Sequence, residues 1–160
     1  MRRHSILRQG AICGIVLVAL AAFLRPSAAP AASANVAPIA PGAARIWFYR
    51  DYEPSVSLNV ANVMLNGATT VVVQPDGSAV YRDVPAGRYH IGVDSTGTDV
   101  NQSKDVDLAP GQEAFVKVLA LSSWDSGGDT ISFQRDTFYV SLVPPQIARA
   151  QLTARPLSGG

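Results

Sequence analysis

Cysteine is nearly absent from these 160 residues: Cys13 stands alone, inside an N-terminal apolar run. With that run set aside, disulfides, thiolate metal sites and a cysteine nucleophile are excluded together. Histidine is almost as scarce, with only His4 and His90. A zinc site takes three or four His, Cys or carboxylate ligands, and one histidine beyond the N-terminal run cannot anchor it. No long basic stretch exists either. With 13 Lys+Arg against 12 Asp+Glu, the chain has no electrostatic footprint for nucleic acid. No G-x-S-x-G elbow supports a serine nucleophile, and no glycine-rich loop opens a helix to cradle phosphate. No cofactor is expected.

Nor is there an apolar run long enough for a membrane span. Ala11 to Leu24 is the longest, short of the ~20 residues that a spanning helix needs. Arg2, Arg3 and Arg8 precede it, and a small-residue stretch with Ala32-Ser33-Ala34 follows. That order is a secretory signal with its cleavage site. The expected organisation is a signal over 1–34, an Ala/Pro-rich leader over 35–43, one domain over 44–153 and a disordered tail over 154–160. The expected location is periplasmic or extracellular, with retention by an uncleaved segment as the alternative. Cys13 opens the apolar run rather than closing it, so no lipid anchor is expected, and membrane contact is confined to the signal. Losing Arg2, Arg3, Arg8 and Arg25 with the signal tips the balance to mildly acidic.

What is present is a series of short β-prone runs cut by turn signals. "ARIWFYR" (44–50) is a run of strand formers, and "SVSLNV" (55–60) alternates with the period of two of a half-buried strand. Asn66-Gly67 supplies the left-handed pair of a type I′ hairpin. "TTVVVQ" (69–74) leads into Pro75-Asp76-Gly77, a turn in which proline presets φ and glycine accepts a positive one. "SAVYRDV" (78–84), "RYHIGV" (88–93), "EAFVKVLAL" (113–121) and "TFYVSLV" (137–143) continue the series. "DSTGTDVNQS", Ala109-Pro110-Gly111 and "SSWDSGGD" are expected as connections. This spacing predicts an all-β antiparallel sandwich of seven or eight strands. Pro144-Pro145 followed by "QIARAQLTAR" predicts one short C-terminal helix with proline in its first turn.

Candidate chemistry is thin. In "YRDVPAGRYHIGV" (81–93), His90 is a candidate general base, with Asp83 to orient it and Arg82 or Arg88 to bind an anion. Against that, alternation puts Tyr89, Ile91 and Val93 on one face and Arg88 and His90 on the other, which makes His90 a solvent-facing strand residue. Asp51 and Glu53 are a candidate carboxylate pair, with Asp76 a further acid. Asp94, Asp99, Asp105 and Asp107, or Asp125 and Asp129, border loops in which calcium is conceivable, but the ligand alternation of an EF-hand is missing. Neither a metal nor a catalytic site is therefore expected. The aromatic residues Trp47, Tyr49 and Trp124 are the candidate contacts for a sugar or a protein. In "RIWFYR" one of the pairs Ile46/Phe48 and Trp47/Tyr49 must be core, and Trp124 falls in an expected loop.

"RIWFYR", "MLNG", "YRDVPAGRYHI" and "LAPGQEAFVKV", in this order, resemble the bacterial domain of unknown function numbered 2846. The resemblance covers about residues 44–153. It implies a secreted or envelope-attached sandwich of the prealbumin-like kind and no established activity. Many members are lipoproteins, and this chain departs from them in lacking a lipobox. The hydrolase known on a transthyretin-like sandwich uses several histidines, which this chain does not have. The expectation is an exported, non-enzymatic module that binds or packs against an envelope protein. Its alternatives are a carbohydrate- or peptide-binding module working through exposed aromatics, and an enzyme of unrecognised type.

Overall fold

A computed structural model describes residues 36–95, 100–127 and 131–158, without the side chains of 124–127 and 131–134. The expected signal over 1–34 lies outside the described residues. Eight strands run in the order β1 Ala43–Tyr49, β2 Ala61–Leu65, β3 Ala68–Val73, β4 Ala79–Pro85, β5 Gly87–Val93, β6 Ser103–Leu108, β7 Glu113–Gly127 and β8 Ile131–Leu142. One helix, α1, follows at Pro145–Leu152. The strands form two four-stranded sheets, ordered β4-β1-β7-β8 and β3-β2-β5-β6. The all-β sandwich and its C-terminal helix are as expected. The pairing is not wholly antiparallel, because β1 runs parallel to β7 in the middle of the first sheet.

The core lies between the sheets and follows the period of two. Ala44, Ile46 and Phe48 of β1 meet Val63, Val71, Ile91, Val116, Val118 and Val140, all at 2 % exposure or less. Burying such side chains is worth roughly 1.5–3 kcal/mol each, the main term that holds a disulfide-free fold together. Asn66 at φ 52° and Gly67 at φ 85° turn β2 into β3. That is the primed hairpin which Asn-Gly predicts. The later connection at Pro85-Ala86 does something else. It carries the chain out of one sheet into the other, since β4 and β5 belong to different sheets.

Four boundaries differ from the sequence reading. "SVSLNV" is no strand. The guanidinium of Arg50, 1 % exposed, donates to the carbonyls of Asn59 at 2.7 Å and Ser57 at 3.0 Å and winds that segment around itself. Leu58 and Val60 are left on the surface, so local side-chain bonds have defeated the alternation. "SKDVDL" is a strand, β6, paired with β5 along its length. Asp105 and Asp107 alternate with Val106 and Leu108 because only one face is buried. "SSWDS" continues β7 instead of forming a loop, and places Trp124 opposite Gln134. Finally, the tail expected to be disordered from 154 is bonded to the first sheet as far as Ser158.

Candidate functional site

Each sheet has two edges, and the two sides of the sandwich treat them differently. On the β8 side, Ser95 Oγ accepts the Phe138 amide at 2.8 Å and the Asn101 carbonyl accepts the Val140 amide at 3.1 Å. Ser95 and Asn101 thus bond to that edge. On the opposite side, β3 and β4 lie at the ends of their sheets and flank a cleft of about 320 Å³. Val71 and Val80, at 2 % and 5 % exposure, belong to its buried base. Thr69, Thr70, Val72, Gln74, Arg82 and Ser158 complete its lining.

The β4 edge is partly occupied by the chain's own tail. The Ala79 amide donates to the Pro156 carbonyl and the Ala79 carbonyl accepts the Ser158 amide, both at 2.9 Å. Together they make a parallel bridge between Ala79 and Leu157. Outward-pointing backbone groups recur at every second residue of a strand whose other side is paired. Tyr81 and Asp83 therefore turn the same edge outward, where no strand of the described residues meets them. Between them, Arg82 turns to the cleft. Its Nη1 donates to the Tyr81 carbonyl at 3.2 Å, and no carboxylate pairs with it among the described residues.

The arrangement weighed for "YRDVPAGRYH" is not assembled. Asp83 is clamped by Arg45, which donates from Nε at 2.6 Å and from Nη2 at 2.8 Å. Those bonds hold the Asp83 carboxyl below its ordinary range. His90 lies in the other sheet, on its open face, with Nδ1 2.8 Å from Asp105 Oδ1. Arg88 is 3.8 Å from the same carboxylate. Of the acids near 51, Asp51 is held by two cations. Burial raises the Asp51 carboxyl, but hydrogen bonds from Lys117 and Arg155 outweigh it and the net shift is downward. Asp76 accepts the Ser78 amide at 2.9 Å within its turn, and the backbone carbonyl of Glu53 accepts the amides of Val56 and Ser57.

Of the acids considered for calcium, Asp105 faces His90 and Asp107 lies opposite Arg88. Asp99, Asp129 and the side chain of Asp125 lie outside the described residues. No group of three or more His, Cys, Asp or Glu residues is placed to hold a metal among the described residues.

The candidate aromatic contacts Trp47 and Tyr49 point away from the sandwich core, yet they are buried at 7 % and 0 % exposure. Helix α1 covers them, with Ala148 at 0 % exposure against the same cluster as Ala79 and Phe115. Trp47 Nε1 donates to Glu113 at 2.9 Å, and Tyr49 Oη donates to Gln151 at 2.8 Å. Arg149 donates to the other oxygen of Glu113 at 2.7 Å. Tyr81 stacks obliquely on Trp47 at 5.0 Å, and Arg45 lies over Tyr81 at 4.1 Å. The side chain of Trp124 lies outside the described residues.

Of the sequence candidates among the described residues, then, only Arg82 lines the cleft, and it was singled out for another arrangement. Thr69, Thr70, Gln74 and Ser158 had no sequence signal, because which strands end the sheets is a property of topology. Among the described residues no helix is long and apolar enough to cross a membrane. No protein-family model matches this chain, and no curated protein or solved structure does so either.

Proposed function

We propose that this chain is an exported, non-enzymatic module of the bacterial envelope, akin to the domain of unknown function 2846, that works by holding a partner protein. The observation that carries this reading is the cleft between β3 and β4, with an apolar base, a polar rim and strand edges on both sides. Sheet edges with unused backbone donors and acceptors are general docking sites for extended chain. The split between His90 and Asp83 supports binding over catalysis, since the best base and its orienter are held in different sheets. Burial of Trp47 and Tyr49 under α1 leaves the carbohydrate reading with less to stand on.

The test is photocrosslinking of the full chain in intact cells, with a photoreactive residue placed in turn at Thr70, Arg88 and Leu121. These sample the cleft, the open face of the second sheet and the outward face of the β7–β8 ladder. Capture of one envelope protein, the same in every repeat and from one face, is the expected result. A chain that crosslinks to nothing from any of the three positions overturns the reading.

A further inference from the structure

Resting on that reading, we infer that the occupant of the cleft is an extended peptide segment bearing a carboxylate, added to the free edge of β4. Three observations converge on this occupant. The first is that the edge already accepts a strand. Pro156–Ser158 pairs with Ala79 through two backbone bonds of 2.9 Å, and Ser158 lies in the lining of the cleft. The geometry for adding chain to β4 is thus realised at one residue, and no described strand takes it up at Tyr81 and Asp83, the next two outward positions, where the Tyr81 carbonyl accepts only the Arg82 side chain.

The second is charge. Arg82 enters the cleft between those two positions, and its one bond among the described residues goes to a neutral carbonyl. Guanidinium forks suit carboxylates, which accept two N–H groups side by side. The other arginines near this sheet are already engaged: Arg45 holds Asp83, Arg149 holds Glu113 and Arg155 holds Asp51. Arg82 lines the cleft and is held by no carboxylate among the described residues, which leaves it open to a visiting acid.

The third is shape. The rim alternates hydroxyl and amide groups with Val72 over the buried Val71 and Val80. That suits a strand whose successive side chains point alternately into the cleft and out to solvent. A second copy of this chain fits worse. Antiparallel pairing of two β4 edges about their middle sets Arg82 against Arg82, and like charges directly opposite are unfavourable.

The experiment is selection of a displayed library of random heptapeptides on the full chain, repeated on Arg82→Gln and Arg82→Glu. Far-ultraviolet dichroism and thermal unfolding first confirm that both variants keep the fold. Enrichment of peptides with Asp or Glu at one fixed position is expected on the parent, with that preference absent on Arg82→Gln. On Arg82→Glu, Lys or Arg should replace the acid at the same position. The selected peptide should slow hydrogen exchange at the Tyr81 and Asp83 amides at least tenfold. A proline at an inward-bonding position should abolish that protection.

Peptides selected equally by parent and Arg82→Glu, or leaving Tyr81 and Asp83 unprotected, overturn the inference. So does a library from which nothing is enriched. Cellular crosslinking separates this failure from that of the broader reading. A partner captured only from Arg88 or Leu121 keeps the binding module and removes the cleft as its site.

Discussion

The outer faces of the two sheets are opposites. Behind β1 and β7 the first sheet buries Trp47, Tyr49 and Phe115 beneath α1 and the tail. Behind β5 and β6 the second sheet presents Arg88, His90, Asp105 and Asp107 to solvent. Each sheet has four strands, and each contributes its other face to the common core. The difference lies in what the outward residues require. Large rings beside Arg45 need a cover, and eight residues of helix with a short tail provide it. Alternating charges need none. The first sheet is the middle of three layers, between α1 and the second sheet, and the second sheet is an outer one.

Breaking the covered face should cost most. Trp47→Ala is expected to lower stability by about 3–5 kcal/mol, the range for removing a large buried ring, as measured by urea unfolding. It also deprives Glu113 Oε1 of a donor. The outward face of β1 should thus be about as sensitive as Phe48 on its inward face. A loss below about 1 kcal/mol would show that the second cluster is ornament to the sandwich. Ala148→Asp attacks the cover itself, by setting a carboxylate among Trp47, Tyr49 and Phe115. About 2–3 kcal/mol should be lost, because an unpaired charge must either stay buried or force the helix off. Hydrogen exchange tells which sheet responds. The amides of Ala79 and Ser158 should lose protection while that of Ile91 keeps it. Equal loss at all three would mean that the cover and the core unfold as one unit.

The sequence carried part of this difference at β1 and concealed it elsewhere. "ARIWFYR" has bulky residues on both of its faces, as in strands buried on both sides, so one core pair was legible in seven residues while the covering of the other pair was not. "RYHIGV" alternates cleanly, and its exposed and buried faces were legible too. The helix was legible from Pro144-Pro145 and its apolar spacing, but nothing in that spacing says which face it covers. β6 escaped notice because Lys104, Asp105 and Asp107 dilute an apolar signal of two residues. "SVSLNV" misled, since the alternation of Val56, Leu58 and Val60 is local while Arg50, which organises it, acts from outside the window. The cleft was illegible for a deeper reason. β3 and β4 become edges only through pairings made far along the chain, such as that of β1 with β7.

Asp51 fastens the cover at its far end and should matter less than the rings. It accepts from Lys117 at 2.6 Å and from Arg155, whose Nη1 also reaches the carbonyls of Arg50 at 2.5 Å and Gly77 at 3.0 Å. Asp51→Asn is expected to cost about 1–2 kcal/mol at neutral pH, as for hydrogen bonds to charged groups near a surface. The pH dependence has a definite sign. Although burial raises this carboxyl, Lys117 and Arg155 bring its net shift below the ordinary 3.8. Its contribution is therefore complete above that value and is lost as pH falls through the depressed one. Unfolding curves of parent and Asp51→Asn should converge in acid. A gap of the same size at pH 3 and pH 7 would refute the latch.

The open face supplies the smallest expected effect and the sharpest control. His90→Ala removes a side chain that is 57 % exposed and bonded to an Asp105 side chain that is 55 % exposed. It leaves the backbone bonds that tie His90 to the hairpin, where its amide donates to Asn66 Oδ1 at 2.9 Å and its carbonyl accepts the Asn66 amide at 2.8 Å. Exposed pairs of this kind contribute little, because water solvates the separated partners almost as well. The change in stability should stay within about 0.5 kcal/mol, and capture of the proposed partner should be unaffected. A loss of capture with stability intact would move the binding surface from the β3–β4 cleft to this face. The comparison would then invert, with the bare sheet presented to the partner because none of the described residues covers it.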